Sequence, residues 1–285
     1  TATKKALRIN SNLKPEILIT LDTNTRELKI KGIDSLGLDT DTFKYILSVM
    51  GNSGNGNANE TGYYGMGFFS FVKISPRIII NSYSLESGEK WACIAKSALK
   101  FETLPEGSFK PLDKTGFEIT LSVKNELKIE QIETMISEVS LLSRVKTTLI
   151  IDGVNKPLTQ YESLEAYLKA VYSDYFKNES KYSIMYDYID TDDFELIIGH
   201  IGGSHTGLKR AFLINVPIEL DFPRYDFPKI CLLNIKNERK FRPSADRERF
   251  NEQDEETIIE MIKEKNFNVS DRLPELNNLF EWYDL

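Results

Sequence analysis

The stretch Thr61-Gly62-Tyr63-Tyr64-Gly65-Met66-Gly67-Phe68-Phe69-Ser70 decides how this chain is read. Its G-x-x-G-x-G turn leads into an apolar helical run. Glycines leave backbone N–H groups uncovered by side chains, and the first turn of a helix adds partial positive charge, so the place suits a polyphosphate. The same glycines also serve close packing of a helix against a strand, which keeps a purely structural role open. No Gly-Lys-Ser/Thr follows, so this is not a Walker A loop. No strand runs directly into it, so it is not a Rossmann fingerprint. What precedes it is Gly51-Asn52-Ser53-Gly54-Asn55-Gly56-Asn57-Ala58-Asn59-Glu60, small and polar. A loop of that composition beside a phosphate-type turn is what a nucleotide lid requires.

Upstream, Glu16–Leu21 and Glu27–Ile33 alternate as strands around the turn Asp22-Thr23-Asn24-Thr25, which predicts a β-hairpin. Asp34–Leu38 leaves the second strand as a loop, and Asp41–Met50 has helical spacing. Thr1–Leu7 reads as the end of a helix. Downstream, Arg77–Ser84, Lys90–Ala95, Gly116–Val123 and Thr147–Ile151 are expected strands. Leu127–Val145 carries Ile129, Ile132, Met135, Ile136, Val139 and Leu142 at helical steps. A helix-plus-antiparallel-sheet layer therefore ends near residue 155. The remainder starts afresh, with helices over Leu164–Tyr175 and Glu255–Lys265 and strands over Phe194–His200, Arg210–Pro217 and Ile230–Ile235. The expected fold class is α+β, with domains over 1–155 and 156–285.

Composition agrees with two packed domains: 285 residues, 41% hydrophobic and 28% charged. The net charge of −7 does not suit a generic nucleic-acid coat, so nucleic acid is not the expected partner. Cys93 and Cys231 each sit in an apolar run and are expected to be buried thiols. His200 and His205 are the only histidines. A histidine-based triad or metal cluster is not expected, nor is any metal site of protein ligands alone. No apolar run approaches a membrane span of roughly 20 residues, no secretory signal opens the chain, and the expected compartment is the cytoplasm.

The segment GYYGMGFFS (62–70), followed after a spacer by RIIINSYS (77–84), resembles the phosphate-lid motif of GHKL (Bergerat-fold) ATPases, in the branch of the ninety-kilodalton heat-shock chaperones. Gly51-Asn52-Ser53-Gly54 is similar to that family's lid start. GFEITLSV (116–123) and the helix after it are similar to its late strand and closing helix. The resemblance implies a Bergerat-type α/β sandwich, a mostly antiparallel sheet with helices on one face, and ATP with Mg²⁺ as ligands. Carried over by position, Asp34 accepts from the adenine amine and Gly37 belongs to the same loop. Ser53 sits at the lid. Gly62, Gly65, Met66, Gly67 and Phe68 line the phosphates, the last four through backbone N–H groups. For Asp34 the bland alternative is a turn residue, since Asp-Ser-Leu-Gly is good turn chemistry.

Three departures from the family pattern stand out. The family's D-x-G-x-G is here Asp34-Ser35-Leu36-Gly37-Leu38, with one glycine. Its Gly-Thr before the late strand falls on Gly116-Phe117, with Thr115 one position early. Its N-box, a Glu that activates water and an Asn four residues later that holds Mg²⁺, is absent and is expected upstream of Thr1.

In the second half, KRAFLINVP (209–217), ICLLNI (230–235) and Phe241–Phe250 resemble the middle, transducer-like domain of the same chaperones. There an Arg-Glu loop reaches the γ-phosphate. Arg247-Glu248 is the matching pair, with Arg242 a secondary candidate. The bland alternative is a solvated cluster capping the helix near Asn251. The expected function is an ATP-binding, ATP-hydrolysing, chaperone-like conformational switch. A homodimer in the intact protein and a protein client are the implied partners. Two other classes stay open: a DNA-acting GHKL protein of mismatch-repair or topoisomerase type, and a non-hydrolysing nucleotide-binding interaction module.

Overall fold

The computed structural model describes residues 2–48, 75–97, 100–124, 126, 128–177, 184–201, 207–224, 227–238, 240–244 and 248–265. The chain is α+β and divides into two compact units, 1–161 and 162–285.

The first unit is built on an eight-stranded sheet. Helix α1 (Ala2–Ile9) precedes a hairpin of β1 (Glu16–Asp22) and β2 (Glu27–Ile33), then α2 (Thr40–Ser48). There follow β3 (Ile78–Tyr83), β4 (Lys90–Ser97), β5 (Lys100–Thr103), β6 (Gly116–Ser122), α3 (Ile129–Ser140), β7 (Lys146–Ile151) and β8 (Val154–Lys156). The order across the sheet is β5-β4-β3-β6-β2-β1-β7-β8. Every pairing is antiparallel except β1 with β7.

Register explains the core. Ala95, Ile78, Leu121, Leu28, Leu21 and Ile151 pair side by side across six strands, and Cys93, Ile80, Ile119, Ile30, Ile19 and Leu149 form the next row. Because side chains alternate along a strand, both rows share one face. Phe43 of α2 and Ile132 and Ile136 of α3 join the same core. On the other face of the central strands stand Thr20, Lys29, Lys31, Glu118 and Thr120, with Lys31 4.0 Å from Glu118. The alternation in the hairpin sequence is therefore the alternation of a half-buried sheet.

Helix α3 is shorter than its periodicity predicts, ending at Ser140 where the sequence suggested Val145. Gln160 accounts for the difference. Its Nε2 donates to the carbonyls of Ser143 (3.3 Å) and Val145 (3.0 Å), drawing that segment out of the helix and toward β7.

The second unit carries a five-stranded sheet ordered β12-β11-β13-β10-β9. Its elements are α4 (Leu164–Val171), α5 (Ser173–Lys177), β9 (Ile184–Asp190), β10 (Phe194–Ile201), β11 (Leu208–Leu213), β12 (Val216–Ile218), β13 (Ile230–Ile235) and α6 (Glu252–Glu264). Only β11 with β13 is parallel. Leu196, Ile198, Leu233 and Leu213 share a core with Ile258 and Ile262 of α6 and with Phe241 and Phe250. On the opposite face α4 packs against β10 and β13, and the Tyr167 ring meets Phe212 edge-on at 6.4 Å.

The single strand expected over Arg210–Pro217 is two strands joined by a tight turn. Ile214 (φ 49°) and Asn215 (φ 67°) both take left-handed conformations, the requirement of a two-residue hairpin turn. A β-branched Ile disfavours this, so the turn is imposed from outside. Ile214 N–H donates to the Ile235 carbonyl (2.8 Å), and Asn215 N–H donates to Oδ1 of buried Asn234 (2.9 Å).

A charged turn after β9 gives a pH test. Asp193 accepts from Lys240 (2.5 Å) and Asn237 (2.9 Å), and those bonds, Lys240 first, lower its pKa from the ordinary 3.8. A depressed folded-state pKa contributes stability above the unfolded value and loses it as pH falls through the folded one. Asp193→Asn is expected to unfold more easily than the parent at pH 7. The gap should close in acid below pH 3.8, as urea melts across pH would record.

Candidate functional site

The residues with the clearest chemistry lie where β2, β3 and β6 end together. Ile33, the last residue of β2, pairs with Gly116, the first of β6, and Gly116 pairs in turn with Tyr83 at the end of β3. The loop 34–39 leaves here, and several of its backbone groups are tied to neighbouring strands and loops. Ser35 N–H donates to the Thr115 carbonyl (3.2 Å), and Leu85 N–H donates to the Leu36 carbonyl (2.8 Å). Leu38 N–H donates to Ser82 Oγ (2.8 Å), while the Leu38 carbonyl accepts from Ser82 Oγ (2.8 Å) and Trp91 Nε1 (2.7 Å). Thr40 donates through N–H (3.0 Å) and Oγ1 (2.9 Å) to Glu89. Asp39 then accepts from Thr42 N–H at the start of α2 (2.7 Å), and that bond holds its pKa below the usual carboxylate value. The result is a rigid ledge fastened to β3 and β4.

Asp34 stands at the root of this ledge in a left-handed conformation (φ 51°), which Asp tolerates better than most residues. Its Oδ2 lies 3.4 Å from Lys114 Nζ and 3.4 Å from Lys14 N. The Asp34 side chain is 15% exposed and that of Lys114 62%. Next to Lys114, Thr115 Oγ1 is buried and finds no hydrogen-bond partner among the described residues. A buried hydroxyl without a partner is costly and calls for an explanation in a water or a ligand. The ends of these strands thus offer a carboxylate acceptor and an ammonium donor side by side, with an unsatisfied hydroxyl on the residue that follows the lysine.

Of the sequence-derived site residues, Asp34 and Gly37 are brought to this one loop. Ser53, Gly62, Gly65, Met66, Gly67, Phe68 and Arg247 lie outside the described residues. Lys114 was missed. Nothing in local spacing marks it, since it reaches Asp34 only because β2 and β6 are neighbours.

In the second unit, Arg242 is engaged locally. Its N–H donates to Asp254 Oδ2 (2.9 Å) and its Nε lies 3.5 Å from the same oxygen, at the first turn of α6. Asn251 caps that helix by accepting from Asp254 N–H (3.0 Å). The segment leading to Arg247-Glu248 is closed at its base: Ser244 N–H donates to the Arg249 carbonyl (2.8 Å), and Pro243 bridges Phe250. Glu248 borders an open groove of ≈ 710 Å³, where Lys209, Arg210, Glu219 and Asp221 also stand.

Cys93 and Cys231 are buried, and burial pushes both thiols up to about 12, far from a reactive thiolate. Among the described residues no group of three His, Cys, Asp or Glu could hold a metal ion, and no helix is long and apolar enough to cross a membrane. No protein-family model and no curated protein matches this chain.

Proposed function

We propose that the chain is a nucleotide-binding conformational switch of the Bergerat type, with the first unit holding ATP and the second sensing it. One observation carries this: an Asp on a loop pinned at the ends of central strands, with a buried hydroxyl lacking a partner at Thr115, just before β6. A carboxylate there accepts from an exocyclic amine, and the hydroxyl completes the edge directly or through a water. The rigid ledge supplies the preorganisation that a base-reading pocket needs.

The phosphates belong to the amides of residues 65–68, with Ser53 at the lid and Arg247 as the sensor of the terminal phosphate. This part of the proposal rests on the sequence motif and its resemblance to GHKL ATPases. Mg²⁺ bound with the nucleotide would neutralise charge on the phosphates. Nucleotide-dependent ordering of the lid, and its release on hydrolysis to ADP, would make the protein a chaperone-like switch. A homodimer and a protein client are the partners such a switch would serve.

Thermal unfolding tests the binding step. A ligand at a hundred times its Kd stabilises the native state by about 2.7 kcal/mol. For a unit of this size that raises the melting temperature by roughly 5–10 °C. Saturating ATP with Mg²⁺ is expected to give such a rise and CTP much less. Identical melting curves with and without ATP would overturn the proposal.

A further inference from the structure

Resting on the reading of Asp34 as the base-binding carboxylate, we infer that Lys114 sets the base selectivity of this site and opens it to 6-oxopurines. An isolated carboxylate is an acceptor only. It takes the 6-amino group of adenine and rejects the 6-oxo group of guanine or hypoxanthine, whose lone pairs would face its own. Here the carboxylate does not stand alone. Lys114 Nζ lies 3.4 Å from Asp34 Oδ2, so donor and acceptor are presented side by side.

The two purine edges meet that pair differently. Adenine offers its amine to Asp34, and water can meet its N1. Guanine offers O6 to the ammonium and its N1–H and 2-amino group to the two carboxylate oxygens. Without Lys114, O6 would be left unpaired against a negative charge, the situation that makes a polar site discriminate strongly. The Lys114 side chain is 62% exposed on a long flexible stem, so it can follow either base with little cost to the fold. Its ion pair with Asp34, on the solvent side, is weak enough to open for a ligand.

The test is titration of the full chain with ATP, GTP and ITP, parent against Lys114→Met and Lys114→Arg. The parent is expected to bind ATP and GTP within roughly ten-fold of each other. Lys114→Met is expected to weaken GTP and ITP by about ten-fold or more while changing ATP by less than about three-fold. Lys114→Arg keeps a donor and should restore the 6-oxopurines. ITP lacks the 2-amino group, so a parallel loss for ITP assigns the contact to O6. Melting of the unliganded variants should be unchanged, which separates selectivity from folding. Tight ATP with no GTP binding in the parent, or an ATP-to-GTP ratio indifferent to Lys114→Met, overturns the inference and leaves the ATP site standing. Failure of every purine nucleotide to bind overturns both.

Discussion

Asp34→Asn is expected to lower ATP affinity by about ten- to hundred-fold with little change in the stability of the unliganded protein. A hydrogen bond to a charged acceptor contributes about 1.5–3 kcal/mol, and a factor of ten in affinity is about 1.4 kcal/mol. The choice of Asn matters. Asp34 sits at φ 51°, where Asn is as well tolerated as Asp, whereas Ala would add backbone strain and confuse folding with binding. Asn also keeps the volume that closes the side chain to 15% exposure. What it removes is the charge and the second acceptor. The ion pair lost to Lys114 is largely solvent-exposed on the lysine side and contributes little to stability. Isothermal titration reads the affinity and a urea melt reads the fold. Equal ATP affinity in parent and variant would remove Asp34 from the base site.

Elements with strong periodicity were legible before any coordinates. The β1–β2 hairpin, β6, β13 and the central turns of α3 follow from alternation or three-and-four spacing, and the core face of the sheet is the one those apolar residues define. Elements at edges were not. β5 and β8 are four and three residues long, too short for a period to emerge. β9 (IMYDYID) stays half-exposed along most of its length, so its sequence lacks the contrast that marks a buried strand. The break at Ile214-Asn215 was hidden for another reason: it is enforced by Asn234, nineteen residues away.

The candidate site divides along the same line. The loop that carries Asp34 and Gly37 was legible because turn chemistry is local. Lys114, eighty residues from Asp34, and the staple of Ser82, Trp91 and Glu89 depend on strand adjacency, which no local pattern encodes. Thr115 is informative in between. Its place next to the late strand was visible in the sequence, but the partnerless state of its hydroxyl is a property of packing.

Gly37→Ala is expected to destabilise the first unit by about 3 kcal/mol and, in the same variant, to disturb the Asp34 site. Two costs add. The residue has φ 62°, a left-handed conformation that costs an L side chain about 1–2 kcal/mol. A Cβ built there would also lie 2.1 Å from the Tyr83 carbonyl oxygen, a backbone atom that cannot rotate away. Either β3 shifts or the ledge lifts, and overpacking of this kind costs about 1–3 kcal/mol. Lifting the ledge would break the Leu38 bonds to Ser82 and Trp91 and strain the Ser35 bond to the Thr115 carbonyl beside Asp34. Gly88→Ala is the matched control. It too has a left-handed backbone (φ 71°), but nothing lies within 4 Å of its added Cβ, so it bears the conformational cost without the collision. Urea unfolding is expected to rank the parent above Gly88→Ala and Gly88→Ala well above Gly37→Ala. The glycine at position 37 is thus explained by a backbone contact, since only a residue without a Cβ lets the loop lie flat against Tyr83. A Gly37→Ala protein as stable as Gly88→Ala would mean that the ledge yields easily and is not the rigid platform that the proposed base reading requires.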